Sequence, residues 1–408
     1  MKIQLPVEQL EKGMYVAELD RPWEGTPFLF QGFVIASDDD LAALRQHCRQ
    51  VWVDDLKSST EQALQDRLHT AVRGSTITVV FTEWEGAKKL HDTLKRIEQK
   101  RDDVVTSLTR LAESAVGGPD EDLQKTRNAV TGLIDDIASD PTAGLWMRIL
   151  SEQDASIGRH AVNTATLAVA FAAELGWNKE LQGIVGEGAM LHDVGMARIP
   201  EKIRNKPGAL SAEEFGLVKL HPVYAATQME NSGTFDPRIL EIVRHHHERF
   251  DGSGYPDGLA DGDIPPYVQL VSICDVYDSY TTPQSYRKQL TSSATMRRLT
   301  QRSAGHFDRN LVEKFIRFIG IYPLGTLVRL RSGALAIIVA SDETRRLHPT
   351  VLLVRDAAGQ TLMPRRTLNL AYIESGHLTA KYGIGEIIEP ESVQIDVREI
   401  LLQELQLH

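Results

Sequence analysis

Cysteine is almost absent from this chain of 408 residues, which carries only Cys48 and Cys274. Two thiols cannot build a disulfide framework or a Cys-based zinc module, and they fit a reducing compartment. Long apolar runs are missing too. The longest, Leu167 to Ala173, falls far short of the ~20 residues that a membrane span needs. Met1 to Pro6 lacks the apolar core of a signal peptide. Basic charge is in deficit: 45 Lys and Arg against 56 Asp and Glu leave a formal net charge of -11. That balance argues against a nucleic-acid partner, which calls for a basic surface. It still permits a local positive site for a small phosphorylated ligand. A cytoplasmic protein with no membrane span is the expectation. With 42% hydrophobic and 25% charged residues the chain can bury a sizeable core, and wholesale disorder is excluded.

At roughly 150 residues per domain, the length suggests two or three domains. Met14 to Leu19 and Val51 to Val53 read as short strands, and Asp38-Asp39-Asp40 before Leu41, Leu44 and Cys48 reads as a capped helix. Leu90, Leu94, Ile97, Val104, Leu108 and Leu111 recur near helical spacing, so 87 to 115 is predicted helical. A second helix follows through Leu123, Val130, Leu133, Ile134 and Ile137. Asp140-Pro141 breaks the pattern and marks a boundary. Consecutive helices are expected from there to about Gly320. Ser211 with Glu214 forms a capping box, Asp236-Pro237 an N-cap with Pro at the first helical position, and Asp308 a cap for a helix to Phe318. After Gly320 the texture changes to strands: Thr326 to Leu330, Leu335 to Ala340 and Val351 to Val354, with a turn at Ser332-Gly333. The expected division is 1–140, an α+β and helical regulatory or dimer region; 141–320, all helical; and 321–408, a small β-rich tail.

Six of the 13 histidines lie between positions 160 and 247: His160, His192, His221, His245, His246 and His247. Asp193 follows His192 directly, and Asp275 lies downstream. Neutral imidazole offers a lone pair to a metal. Carboxylates reduce the net positive charge and can bridge two cations. Mixed His and Asp ligands without thiolate suit Fe, Mn or Zn, and side chains projecting from facing helices are a common way to build such a site. Each piece has a plainer reading alone. His160 could be a polar residue on an amphipathic helix, the His triplet a solvated helix end favoured by the helix dipole, and Asp275 a cap. Glu248 to Pro256, with Gly252 and Gly254, could be an ordinary turn. Gathered in one helical region, they point to metal binding.

The ordered set resembles the HD-GYP phosphodiesterases, a branch of the HD superfamily, over about Leu150 to Phe318. The matching residues are His160, His192-Asp193-Val194-Gly195, Lys206-Pro207-Gly208, His221-Pro222 and His246-His247-Glu248-Arg249. Gly252-Ser253-Gly254-Tyr255-Pro256 and Asp275-Val276-Tyr277-Asp278 complete it. Gly13-Met14-Tyr15-Val16 and Val51-Trp52-Val53-Asp54 resemble the uncharacterised domain often found in front of that family. The resemblance implies a mainly α fold with a central all-α HD-type domain, a small α+β/helical N-terminal domain and the β-rich tail. It implies hydrolysis of cyclic di-GMP to pGpG and/or GMP by a hydroxide activated between two divalent metals, Fe or Mn first, with Zn, Ni and Mg as alternatives. One metal would be held by His160, His192, Asp193 and Asp275. The other would be held by Asp193, His221, His246 and His247, with His245 an extra. His192 and Asp193 would carry the catalysis. Arg287, Tyr255, Gly254, Pro256 and Arg198 are the candidate substrate contacts. A homodimer and a diguanylate cyclase or other signalling protein are the candidate partners.

Three positions depart from the family pattern. Met196 stands where Lys commonly follows His-Asp-x-Gly. Ser156 replaces the Glu of members with a third metal, and Gln284 replaces the Arg of an Arg-Pro-Tyr segment. Two metals rather than three, and slow turnover, are therefore expected. The rival readings are a degenerate cyclic di-GMP sensor with little turnover, and an enzyme for another cyclic dinucleotide or nucleotide phosphate.

Overall fold

The computed structural model describes residues 2–10, 14–21, 33–35, 38–54, 87–113, 120–151, 156–206, 208–282, 290, 292–302, 305–341, 347–373 and 378–406. Two compact units emerge, Met1–Thr78 and Val79–His408. In the first, β1 (Lys2–Pro6), β2 (Tyr15–Leu19), β3 (Phe33–Val34) and β4 (Gln50–Asp54) form an antiparallel sheet in the order β1-β4-β2-β3. Helix α1 (Asp38–His47) runs into Cys48. Leu41, Leu44 and Cys48, three and four residues apart, share one face and are buried in one cluster with Val16, Leu19, Val51 and Val53. Burial pushes the Cys48 thiol up, away from the reactive thiolate.

The second unit opens with two long helices, α2 (Ala87–Glu113) and α3 (Asp120–Ser139). Their apolar faces, Leu94, Ile97, Val104 and Leu108 on α2 and Val130, Leu133, Ile134 and Ile137 on α3, lie in one hydrophobic core with the helices that follow. The periodic apolar face of α2 is thus buried within the unit. The Asp140-Pro141 break is a helix boundary inside that core: Asp140 caps α4 (Pro141–Leu150), accepting from the Ala143 amide at 3.0 Å. Next come α5 (Ile157–Glu174), α6 (Lys179–Leu191), a 3₁₀ segment at Val194–Arg198, and the short α7 (Glu201–Arg204) and α8 (Ala212–Val218). Then follow α9 (His221–Ser232), α10 (Pro237–His245), α11 (Pro266–Thr281), α12 (Ser292–Arg302) and α13 (Arg309–Ile319). The capping box of Ser211 and Glu214 and the caps of Asp236 and Asp308 form as read from the sequence. Helices α5 and α11 are buried on most of their faces and form the centre.

The C-terminal stretch folds as an antiparallel sheet of β5 (Leu327–Leu330), β6 (Leu335–Ala340), β7 (Thr350–Arg355), β8 (Thr361–Asn369) and β9 (Ile384–Ile387), in the order β8-β7-β6-β5-β9. Side chains alternate along a strand, and β6 uses both faces. Leu335, Ile337 and Val339 join the helical core, while Ala336 and Ile338 join a separate cluster with Val328, Leu330 and Val351. That explains an unbroken apolar run with no helical period. Helix α14 (Val397–Leu405) fastens the end of the chain: Arg398 Nε donates to the Leu150 carbonyl at 2.7 Å, and His91 Nδ1 to the Leu405 carbonyl at 2.7 Å. Among the described residues no helix is long and apolar enough to cross a membrane.

Phe315 is fully buried, with its ring 5.1 Å from Phe171 and 5.3 Å from Tyr277, tying α13 to both central helices. Phe315→Ala is expected to lower stability by about 3–5 kcal/mol, the usual cost of emptying such a site. Urea unfolding checks it, and a loss below about 1 kcal/mol would show that this contact does not hold the core.

Candidate metal centre

Seven side chains meet where the ends of α6, α9 and α10 approach α5 and α11. They form two groups, Asp193 with His221, His246 and His247, and His160 with His192 and Asp275. Within each group, one potential ligand atom per residue lies within 4.8 Å of the others. Asp193 joins them: Oδ1 is 3.1 Å from His221 Nε2 and 3.9 Å from His246 Nε2, and Oδ2 is 3.4 Å from His192 Nε2.

The helix ends orient the imidazoles. The last carbonyls of a helix lack partners within it, and three histidines supply one. His192 Nδ1 meets the Ala189 carbonyl at 2.6 Å, His221 Nδ1 the Val218 carbonyl at 2.8 Å and His246 Nδ1 the Val243 carbonyl at 2.9 Å. A carbonyl only accepts, so each Nδ1 carries the proton and each ring turns its Nε2 inward, the one atom left to meet a cation. His221 Nε2 and His246 Nε2 face each other at 3.3 Å. His192 Nε2 is buried with no hydrogen-bond partner among the described residues. Converging lone pairs beside carboxylates, only partly open to water, repel one another until a cation or proton sits among them. The donor set of imidazole nitrogens and carboxylate oxygens, without sulfur, fits a divalent first-row metal.

The electrostatics agree. Burial opposes ionisation of Asp193, yet the flanking His192 and His221 hold its carboxyl well below the usual carboxylate range. Burial likewise works against Asp275, and His160 beside it keeps it low. Burial and the neighbouring imidazoles push His246 and His247 far down, so these rings are neutral and able to ligate. His160 goes the other way: although buried, it is held well above its ordinary value by Asp275 and Asp278.

Two glycines let the backbone close around the site. A Cβ on Gly195 would lie 2.0 Å from the His221 carbonyl oxygen, so only glycine allows the turn after Asp193 to meet the start of α9. A Cβ on Gly254 would lie 2.4 Å from the Arg249 nitrogen. The loop holding Gly254, Tyr255 and Pro256 is stapled by Glu248, whose buried carboxylate accepts from the Asp257, Gly258 and Leu259 amides at 2.7, 3.1 and 3.1 Å. The Tyr255 ring rests 4.7 Å from the His247 ring, and Lys219 Nζ lies 5.3 Å over its face.

The other residues singled out in the sequence fall elsewhere. His245 turns away from the cluster and pairs with Asp257 at 2.9 Å. Arg198 is exposed, its guanidinium 5.7 Å over the Tyr224 ring. Met196 is half-buried in the turn after Asp193. Ser156 caps α5, accepting from the Arg159 amide at 3.3 Å. Gln284 and Arg287 lie outside the described residues. Sequence reasoning gave no role to four residues at the site: Asp278, Arg148, Glu248 and Lys219. Asp278 lies three residues beyond Asp275 and so shares its helix face, a signal open to reading. Arg148, 130 residues from its partner Asp278, left none.

Comparison with known proteins places these elements. A family model described as HD domain matches residues 144–311, and one described as a domain of unknown function, DUF3391, matches residues 2–142. The chain is 29% identical over 368 residues to the cyclic di-GMP phosphodiesterase PA4108 of Pseudomonas aeruginosa, covering 90% of this chain and 88% of that one. It is 30% identical over 192 residues to the cyclic di-GMP phosphodiesterase PdeB of Borreliella burgdorferi, covering 47% and 50%. It is 32% identical over 157 residues to the 3'3'-cGAMP-specific phosphodiesterase 2 of Vibrio cholerae, covering 38% and 30%. The chain thus spans about half of the second relative's length and less than a third of the third's.

The geometry makes neighbouring histidines separable. His246→Ala is expected to reduce bound metal, whereas His245→Ala should leave the metal content at the wild-type level. Elemental analysis after dialysis checks both; equal losses would mean that the triplet acts through the helix end rather than through His246 as a ligand.

Proposed function

We propose that this chain, an HD-domain protein with a DUF3391 domain in front of it, is a metal-dependent phosphodiesterase of the HD-GYP type that hydrolyses cyclic di-GMP. One observation carries the reading: two His/Asp groups joined by Asp193, with Nε2 lone pairs converging in a buried space, in a chain aligned over most of its length with a cyclic di-GMP phosphodiesterase. In this reading His160, His192, Asp193 and Asp275 hold one divalent metal, and Asp193, His221, His246 and His247 hold the second. Cations so held supply a water of lowered pKa and a clamp for phosphate charge. The mixed N/O donor set favours Fe or Mn over the softer choices, and Ser156, occupied as a helix cap, favours two metals over three.

The chain's own groups around the cluster suit a dinucleotide. Tyr255 is held against His247 by the Glu248 staple, with Gly254 and Pro256 shaping the same loop. The Phe215 ring stands 6.4 Å from the Tyr255 ring and is 45% exposed. The two rings offer a surface on which a purine can stack. Lys219, over both rings, offers a mobile cation to a phosphate. Arg198 and Arg287 remain proposed contacts. Products are pGpG and, after a second cut, GMP. Functionally, residues 141–320 are assigned the chemistry, 1–140 regulation or dimer contact, and 321–408 support. A homodimer or a signalling partner such as a diguanylate cyclase would act through the first region, with the cytoplasm as the expected compartment.

A second reading, a sensor with little turnover, draws on Met196, a neutral thioether where the family commonly has Lys. The likeness to a 3'3'-cGAMP-specific enzyme adds a substrate to be compared. The deciding experiment incubates Mn- or Fe-loaded protein with cyclic di-GMP and, in parallel, 3'3'-cGAMP, and resolves the products over time. Metal-dependent formation of pGpG, faster than cleavage of 3'3'-cGAMP, is expected. Tight binding of cyclic di-GMP with no product would establish the sensor instead.

The Met196 departure yields its own prediction. A preorganised charge at a reacting phosphate is worth about a hundred- to a thousandfold in rate. Wild-type turnover should be slow, and Met196→Lys should raise kcat with a smaller effect on the dissociation constant. A fast wild type unchanged by the substitution would mean that Met196 lies outside the reacting phosphate's reach.

A further inference from the structure

We infer that the Arg148–Asp278 pair is a positioning device for His160, and that it sets the affinity of one metal position without the other. The inference rests on the metal-site reading above and concerns how one ligand is prepared.

The clustered histidines are not supported alike. His192, His221 and His246 each give Nδ1–H to a carbonyl three residues back, so folding of the local backbone orients them. His160, in the first turn of α5, has no such carbonyl among its contacts with the described residues. Its Nδ1 meets Asp278 Oδ2 at 2.8 Å, and its Nε2 meets Asp275 Oδ1 at 3.0 Å. It is therefore oriented by α11, 118 residues further along the chain.

The tautomer follows from which carboxylate takes the proton. With Asp278 accepting from Nδ1–H, a cation that displaces the proton shared between His160 Nε2 and Asp275 Oδ1 would find two ligand atoms side by side. Without the Asp278 carboxylate, the ring's last proton stays on Nε2 and is shared with Asp275 Oδ1. That arrangement occupies both donor atoms at once. Asp278 thus keeps the ligand pair open.

Asp278 in turn depends on Arg148. The carboxylate side chain is fully buried, and Arg148, on α4, places Nε and Nη2 each 3.0 Å from its Oδ1. Arg148 Nη2 also donates to Thr281 Oγ1 at 2.5 Å, and its guanidinium lies 5.4 Å over the Tyr277 ring. Thr282 Oγ1 adds a donor to Asp278 Oδ2 at 3.3 Å. A buried carboxylate deprived of its paired cation is strongly destabilised where it stands, and His160 then loses its anchor. Arg148 and Tyr277 also line a cavity of about 260 Å³ together with Tyr322, Leu324 and Val339. The outer end of this chain of contacts therefore sits at the junction of the helical core with the C-terminal sheet.

Partners that orient a ligand in this way typically change metal affinity by about 10- to 100-fold when removed. The test uses the full chain and Mn²⁺ titration by equilibrium dialysis, with anomalous difference maps assigning each position. In Asp278→Asn and Arg148→Gln the position bounded by His160, His192 and Asp275 should weaken by about 10- to 100-fold, and the position at His221, His246 and His247 should stay within about twofold. Arg148→Lys, which restores the charge, should recover part of the loss. Equal weakening at both positions with a lowered melting midpoint, and no recovery in Arg148→Lys, would make the pair merely structural and overturn the inference. Unchanged affinity at both positions would overturn it as well. A wild-type chain that binds no Mn²⁺ would remove the metal reading itself, and the inference with it.

Discussion

A histidine that gives its Nδ1 proton to a backbone carbonyl has only its Nε2 lone pair left to offer. In this chain that constraint acts three times, at the ends of α6, α8 and α10, and the inward aim of His192, His221 and His246 depends on it. The helix termini use carbonyls that would otherwise lack partners, and the imidazoles lose the freedom to choose a tautomer. The result is a set of inward lone pairs around Asp193 that the protein's own donors leave unmet: His192 Nε2 is buried without a hydrogen-bond partner among the described residues. Such a cost is retained where a cation meets it.

The surrounding layer serves the same end by different means. Glu248 takes the amides of three consecutive residues and holds the Tyr255 loop against His247. Gly195 admits a backbone approach that no Cβ would permit. Asp278 and Arg148 hold His160, which is oriented by a carboxylate rather than by a carbonyl. The first two fix shape, and the third ties the centre to a helix and a sheet distant in sequence.

The long helices were legible because their apolar residues repeat over many turns, as Leu94, Ile97, Val104 and Leu108 do. The C-terminal strands were legible because Leu335 to Ala340 is too short and too uniformly apolar for a surface helix. What pattern could not supply was packing between elements. The spacing of α2 shows an apolar face but not its partner, and the structure shows the partner to lie in its own unit. The candidate ligands were visible as a succession of His and Asp residues, because such residues are rarely crowded so closely by chance. The pairing of His160 with Asp278, and of Asp278 with Arg148, joins positions 118 and 130 residues apart. Periodicity carries no information over that span. Lys219 was hidden for another reason: a lysine close to a histidine in sequence reads as an ordinary surface charge until the rings beneath it are seen.

The central claim is that two groups of ligands, sharing Asp193, hold two metals. The most direct measurement is anomalous diffraction from crystals of the Mn- or Fe-loaded chain, recorded on both sides of the metal edge. Two peaks are predicted, one bounded by His160, His192 and Asp275 and the other by His221, His246 and His247, with Asp193 between them. A single peak, an additional fully occupied peak beside Ser156, or none at either group would contradict the account.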